Sequence, residues 1–175
     1  MGTGGIALAS DTRGAVDFFL KIDGIEGESQ DSKHKNEFQL LSYSFGASQA
    51  HALDFTGGGH GAGKVSFTDF TFVKQVDKGS PKLMLACATG QHIPKAVLIV
   101  RKAGKDQQEY LKVTLTDILV SNVIVNGDGH RSPLPTDEIK LNFAKIEFEY
   151  KTQNKDGSLG GAVNAGYDQK LQKAV

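Results

Sequence analysis

The stretch IKLNFAKIEFEY, residues 139–150, decides the fold class because its apolar residues change phase within one strand. Ile139, Leu141 and Phe143 alternate with polar residues, and the alternation then passes to Ile146 and Phe148. Successive side chains of a strand point to opposite faces of the sheet, so this change requires a bulge or a change in the buried face. The stretch therefore predicts a long strand whose buried face changes part-way along.

Two other stretches show the same change of phase. Residues 64–74 (KVSFTDFTFVK) are apolar at positions 65 and 67 and then at 70 and 72, and residues 111–120 (LKVTLTDILV) behave alike. Three such strands predict a strongly coiled sheet that closes on itself, or strands shared by two packed sheets. The alternative is strands buried on both faces, one against the core and one against a partner. Internal duplication is a weaker interpretation, because a short match can arise from strand chemistry alone.

The rest of the chain consists of further predicted strands separated by polar or glycine-rich segments, which are expected to form loops. Strands are expected at residues 16–22, 37–45, 64–74, 95–102, 108–125 and 137–151. Residues 1–15 are rich in Gly, Ala, Ser and Thr and are expected to form a flexible N-terminal arm. Long loops are expected at residues 23–36 and 46–63, and residues 152–175 are expected to form a loop and tail. The domain is placed at residues 16–160, followed by a C-terminal tail at 161–175.

One short helix interrupts the strands. Ser80 is expected to cap it, Pro81 suits its first position, and Gly90 supplies a left-handed stop. The residues expected on its buried side are Leu83, Met84 and Cys87. At about nine residues such a helix is unstable alone, so it must dock on the sheet.

Composition excludes several classes of protein. The 175 residues include 20 Lys and Arg and 20 Asp and Glu, so the formal net charge is zero. This balance argues against a globally basic nucleic-acid binder or a binder of anionic lipid, and it favours self-association. Cys87 is the one cysteine, which excludes an intramolecular disulfide and a cysteine metal cage. No apolar run suits a signal peptide or a membrane helix, so we expect synthesis in the cytosol and, if the protein leaves the cell, export without a cleaved signal.

The glycine-rich stretch GGHGAGK, residues 58–64, fits the first seven positions of a phosphate-binding P-loop. That loop requires Ser or Thr next, where this chain has Val65, and it must open a helix. Because the residues from Val65 onward have strand periodicity, we interpret the stretch as a glycine loop that leads into a strand.

Other candidates for chemistry are no stronger. Cys87 follows Leu83 by four residues on the helix, which favours burial over nucleophilic reactivity. The five histidines show no metal-binding spacing, so no metal site is predicted. Glu147 and Glu149, together with Lys145, are expected to form an outer charged row rather than a hydrolytic pair. No catalytic constellation remains, and no cofactor is expected.

The polar loop of residues 23–36 is the remaining candidate. It is longer than a normal connection and carries charges of both signs, including the short basic run Lys33, His34 and Lys35. This run is either a solvated loop or a contact with a partner.

Several segments in order resemble the Hcp family, the tube protein of type VI secretion systems. They are FLKIDGIEGES at residues 19–29 with Lys33 and His34, LSYSFG at 41–46, GAGKV at 61–65, FVKQVDKGSPKLM at 72–84, ACATGQH at 86–92, VRKAG at 100–104, EYL at 109–111 and LNFA at 141–144. The resemblance covers roughly residues 16–160, which makes it far more specific than any single motif.

The resemblance implies a mainly β (α+β) fold, a compact barrel-like pair of β-sheets with one short α-helix at its side. It implies that six copies form a ring with an open lumen, and that rings stack into a tube inside a contractile sheath, beneath a VgrG spike. It also implies secretion of the protein and shelter of small effector proteins in the lumen, without catalysis and with neither nucleic acid nor membrane insertion.

The resemblance further implies that the loop of residues 23–36 reaches the adjacent ring. The residues expected to make this contact are Glu26, Gly27, Glu28, Ser29, Asp31, Lys33, His34 and Lys35. Their mixed charges suit a rim contact, which contributes register and association rate more than affinity.

Two alternatives remain at this point. The first is a monomeric β-barrel or β-sandwich that binds a small ligand in its interior. The second is a domain of this family with an added activity, although the terminal segments are too short for another folded domain.

Overall fold

A computed structural model describes residues 16–51, 62–102, 107–130 and 132–175. The predicted arm at residues 1–15 and most of the glycine-rich stretch lie outside the described residues. The strands are β1 (Val16–Ile22), β2 (Phe38–Ser44), β3 (Ala47–His51), β4 (Ala62–Phe67), β5 (Phe70–Gln75), β6 (His92–Lys102), β7 (Glu109–Asp128), β8 (Ser132–Gln153), β9 (Leu159–Asp168) and β10 (Lys173–Ala174), and the helix α1 (Ser80–Thr89) lies between β5 and β6.

Six of these strands close into a barrel. The main sheet has the order β10-β9-β8-β5-β2-β1-β6-β7, and β7 also pairs with β8, so the sheet from β8 to β7 closes on itself. All of these pairings are antiparallel. The prediction of a mainly β, barrel-like fold with one helix at its side is confirmed, and β3 and β4 form the separate two-stranded sheet.

The change of phase in β8 marks the point where this strand leaves one partner for another. Its residues 136–141 pair with β5 and its residues 145–153 pair with β9, while β7 pairs along most of its length. The buried positions change accordingly from Leu141 and Phe143 to Ile146. On the neighbouring strand, Asp117 has a left-handed φ of 55° between buried Leu115 and Ile118. The change of phase therefore allows one strand to serve both the barrel and an outer sheet.

The predicted strand over residues 64–74 is wrong in one respect, because the chain breaks it at Thr68 and Asp69. The Thr68 N–H donates to the carbonyl of Gly46 at 2.9 Å, and β4 and β5 belong to different sheets. The opposite phases of Phe67 and Phe70 are thus satisfied by a change of sheet. The loop expected at residues 46–63 is also shorter than predicted, because β3 begins at Ala47 and pairs with β4.

The expectation of a loop and tail over residues 152–175 is wrong for β9 and β10. β9 pairs with the second half of β8, and its glycines and alanines allow close approach. A Cβ at Gly166 would lie 3.1 Å from both the Glu147 side chain and the Ile146 carbonyl oxygen. Small residues of β9, which suggest a loop in the sequence, are required here because β9 packs closely against β8. The domain limits of residues 16–160 stay a prediction.

The helix is confirmed at Ser80–Thr89, with Gly90 in the left-handed conformation at φ 64°. Two details differ from the prediction. Gly79 occupies the N-cap position, and Ser80 makes no capping bond because its hydroxyl joins a buried polar cluster. Leu83 is fully buried whereas Met84 is 44% exposed, since neighbouring residues of a helix point about 100° apart.

That buried cluster centres on Lys74. Its ammonium lies 2.8 Å from Asp137, 2.9 Å from Asp77 and 2.8 Å from the Ser80 hydroxyl, and Lys74 and Asp137 are at most 1% exposed. A buried charge is tolerated only when it is paired and hydrogen-bonded, and removal of one partner is strongly destabilising. The cluster therefore ties the start of α1 to β5 and β8.

We predict that Gly79→Ala destabilises the fold, because the new Cβ would lie 2.5 Å from the Phe38 ring and 2.7 Å from the Glu26 carbonyl oxygen. Overpacking of this kind costs about 1–3 kcal/mol. The matched control is Gly161→Ala, where nothing lies within 4 Å. Chemical unfolding of both variants measures the difference, and equal free energies of unfolding for the two would contradict this packing.

Candidate functional site

The candidate site is the loop of residues 23–36, which connects β1 to β2. It turns at Gly24, whose φ is 79°. It then folds back on itself, because the Gly27 N–H donates to the Asn36 carbonyl at 2.8 Å and the Asn36 N–H donates to the Ser29 carbonyl at 2.9 Å. The loop is therefore an ordered element with its own hydrogen bonds.

An arginine from β6 fastens the loop to the barrel. Arg101 is 3% exposed, and its guanidinium lies 2.6 Å from Asp31 of the loop and 3.2 Å from Asp17 of β1. The hydrogen bond from Arg101 is the main cause that lowers the pKa of Asp31 to about 2. We call this ion pair the Asp31 clamp. It stabilises the charged form of the Asp31 carboxyl in the folded state.

His34 forms a second attachment on the same side. Its ring stacks on Phe19 with the centroids 4.3 Å apart, and Arg101 lies 4.6 Å from the same Phe19 ring. The His34 Nδ1 atom lies 2.9 Å from Glu37, and its Nε2 atom lies 3.4 Å from Glu109. The interpretation of this histidine as part of a solvated basic patch is wrong, because its aromatic contacts bury it to 5% exposure.

The eight predicted contact residues thus divide into two groups. Glu26, Glu28, Lys33 and Lys35 are exposed, whereas Gly27, Ser29 and His34 are buried and Asp31 is held in the clamp. Glu26 lies 3.2 Å from Lys78 at the start of the helix. The loop therefore presents charges of both signs on a backbone that internal contacts fix in place.

A groove of about 480 Å³ lies beside the loop. Glu28, Ser29 and Gln30 form one side, and Leu41 of β2 and Val76 after β5 lie on the other. Leu41 is 54% exposed and Val76 is 39% exposed, so apolar surface adjoins the loop charges. The sequence contains no signal for this groove, because only the β2–β5 pairing brings Leu41 near Val76.

The other candidate motifs have structural roles. Lys64 and Val65 lie in β4, where a P-loop would require the start of a helix. Lys145 and Lys151 lie 3.1 Å from Glu147 and 3.6 Å from Glu149, which agrees with the predicted outer charged row. Cys87 is a free, half-buried thiol. Within the described ranges, no group of three or more His, Cys, Asp or Glu residues is placed to hold a metal ion. In the same part of the chain, no helix has the length and apolarity needed to cross a membrane.

We predict that the Asp31 clamp makes stability depend on pH. The folded-state pKa of Asp31, about 2, lies below its ordinary value of 3.8. Its contribution to stability is therefore complete above about pH 5 and is lost as the pH falls toward 2. One pKa unit corresponds to about 1.4 kcal/mol, so the contribution is at most about 2–3 kcal/mol.

The measurement is urea unfolding of the wild type and Asp31→Asn at equal protein concentration between pH 2 and pH 5. The gap in free energy of unfolding should be widest at pH 5 and narrow toward pH 2. Glu28→Gln, at an exposed position of the same loop, should follow the wild type. A gap for Asp31→Asn that stays constant with pH would contradict the clamp.

Comparison with known proteins agrees with these observations. The family described as "Type VI secretion system effector, Hcp" matches residues 19–150. The chain is 45% identical to the protein hcp1 of Pseudomonas aeruginosa over 156 residues, which cover 88% of this chain and 95% of that protein.

Solved structures show the same similarity. Hcp1 from Salmonella typhimurium has a TM-score of 0.77 at 40% identity, covering 93% of this chain and 100% of that chain. A type VI secretion system effector from Yersinia pestis has a TM-score of 0.71 at 35% identity, covering 87% of this chain and 99% of that chain. A structure described as a type six secretion system protein has a TM-score of 0.87 at 26% identity, covering 92% and 100%. By its sequence and its closed barrel, this chain belongs to the Hcp family of type VI secretion proteins.

Proposed function

We propose that the chain is the structural subunit of a type VI secretion tube: six copies form a closed ring around an open lumen, and the rings stack. The single observation that carries this proposal is the family match over residues 19–150, which includes part or all of every strand of the barrel. In this role the protein acts by assembly and not by catalysis.

Ring formation requires two different adhesive surfaces on each subunit, because a head-to-tail contact joins unlike patches. The chain exposes large apolar side chains on several separate elements, which supports this requirement. They include Leu41, Leu85, Ile124, Val125, Leu134 and Val163. The equal numbers of acidic and basic residues, 20 of each, allow many copies to pack without accumulated repulsion.

Stacking of the rings is the proposed role of the loop of residues 23–36. Its exposed Glu28, Lys33 and Lys35 offer charges of both signs to a neighbouring ring. The Asp31 clamp and the His34 stack support this role, because they hold the loop in one conformation before contact and so reduce the entropy lost on binding.

The remaining parts of the proposal concern the secretion apparatus. The tube lies within a contractile sheath beneath a VgrG spike, small effector proteins travel in the lumen, and the protein leaves the bacterial cytoplasm without a cleaved signal peptide. These steps rest on membership of the family.

The alternative, a monomeric barrel with an interior ligand site, is disfavoured by the packing. A barrel of eight strands is just wide enough for side chains to fill it, and this one has six. Phe38, Phe70, Phe72, Leu98 and Leu115 are at most 1% exposed. Large side chains therefore occupy the barrel interior.

Light scattering of the purified protein tests the ring. We expect a mass of six times the 18.7 kDa of one chain. A mass of a single chain at all concentrations would contradict the proposal and favour the monomeric alternative.

The stacking role has its own test. We predict that Lys33→Glu combined with Lys35→Glu weakens stacking and leaves rings intact, because both side chains are exposed. Lys33 contacts Asp31 through its backbone N–H, which the substitution keeps. Sedimentation at rising protein concentration measures the stacking. The matched control is Lys82→Glu combined with Lys155→Glu, also at exposed positions. If the loop variant stacks as the wild type does, the loop has no such role.

A further inference from the structure

The far end of the β7–β8 hairpin carries apolar side chains that its own barrel leaves exposed. β6 pairs with β7 as far as Leu119, whereas the pairing of β7 with β8 continues to Asp128 and Ser132. We call residues 121–130 and 132–136 the hairpin tip. Within it Ile124 is 43% exposed, Val125 is 53% exposed and Leu134 is 51% exposed.

These side chains lie on both faces of the hairpin. Ile124 and Val125 are neighbours on β7, so they project to opposite faces of the sheet. At this level β8 still pairs with β5, whereas β7 has passed the end of β6 and forms an open edge. The barrel therefore leaves both side chains exposed. The hairpin tip is therefore shaped to be enclosed by something other than its own barrel.

A recess with matching chemistry lies elsewhere on the same chain. It has a volume of about 270 Å³ between the start of β3, the end of β4 and the sheet of β8 and β9, and no charged residue lines it. Its main walls are Phe45, Phe67, Ile146, Phe148 and Tyr167. The Phe67 and Tyr167 rings lie 5.6 Å apart, and the Phe45 and Phe148 rings lie 6.1 Å apart.

One copy cannot bring its own tip to its own recess. Leu134 and Ile146 are both on β8, twelve residues apart, which corresponds to about 40 Å along a strand. Both positions lie on the strand that pairs with β7 from Ser132 to Tyr150. A protrusion and a complementary recess held apart on one rigid chain are the two halves of a head-to-tail contact between copies.

We propose that the hairpin tip of one copy inserts into this recess of the next copy and forms the joint between neighbouring subunits. This inference rests on the self-association proposed above, and it names the two surfaces that meet. A second copy is the occupant favoured here, because the uncharged recess matches the exposed apolar side chains of Ile124, Val125 and Leu134, which every copy supplies.

The test uses two variants that each damage one half of the joint. Ile124→Lys places a charge on the tip, where its cross-strand partner Glu138 tolerates it. Ala47→Glu places a charge in the recess from an exposed position of β3. The matched control is Leu85→Lys on the outer side of α1, where the side chain is 61% exposed. Circular dichroism and thermal melts establish that each variant is folded.

We expect each joint variant to need at least a tenfold higher concentration than the wild type for assembly, and Leu85→Lys to assemble normally. A mixture of the two joint variants should yield two-chain complexes, because an intact tip then meets an intact recess once. Three results would overturn the joint and leave the wild-type ring in place. They are normal assembly of either joint variant, an equal loss of assembly in Leu85→Lys, and a mixture of the two joint variants that stays monomeric. A monomeric wild type would overturn the ring and the joint together.

Discussion

The pairing of β7 with β8 is the constraint on which the rest of the structure depends. It closes the six-stranded barrel, and it continues along the second half of β8 beyond the barrel wall. The buried face changes near Asp117 on β7 and near Lys145 on β8, and these two points lie side by side because Thr116 pairs with Lys145. This change allows the same pair of strands to close the barrel and to continue into the outer sheet. A strand of strict alternation would leave one of its two packing surfaces polar. The opening stretch of residues 139–150 is therefore the part of the sequence that encodes both barrel and outer sheet.

Two buried charges fasten the remaining elements to this framework. Lys74 connects α1 to β5 and β8, and Arg101 connects the loop of residues 23–36 to β1 and β6. Phe38 and Phe19 are the aromatic rings against which these cations lie. Because isolated buried charges are costly, each cation fixes its partners in one arrangement. The loop that we propose for stacking is consequently part of the folded barrel.

The sequence predicted the fold class well because periodicity depends on local alternation. It also predicted the start and end of the helix, since Pro81 and Gly90 act locally. It failed for β9, whose Gly and Ala residues resemble a loop and become a strand only because β8 supplies a partner. It also missed the partners of Arg101 and Lys74, since ion pairs between residues 84 or 63 positions apart follow from strand order and not from spacing. Ile124 and Val125 lie at the end of the strand predicted at residues 108–125, and the hairpin tip from residue 126 onward lies between that strand and the one predicted at 137–151. The exposure of the two side chains follows from where β6 ends.

These features support the proposal that the subunit assembles with copies of itself. The chain is neutral, and it carries an ordered charged loop, exposed apolar side chains on the hairpin tip and an uncharged recess. These are the kinds of surface that the proposed ring and stack would use. Electron microscopy of the purified protein in negative stain tests this claim most directly. The account predicts closed rings with six-fold symmetry and a central hole, whereas isolated single-barrel particles or open filaments would contradict it.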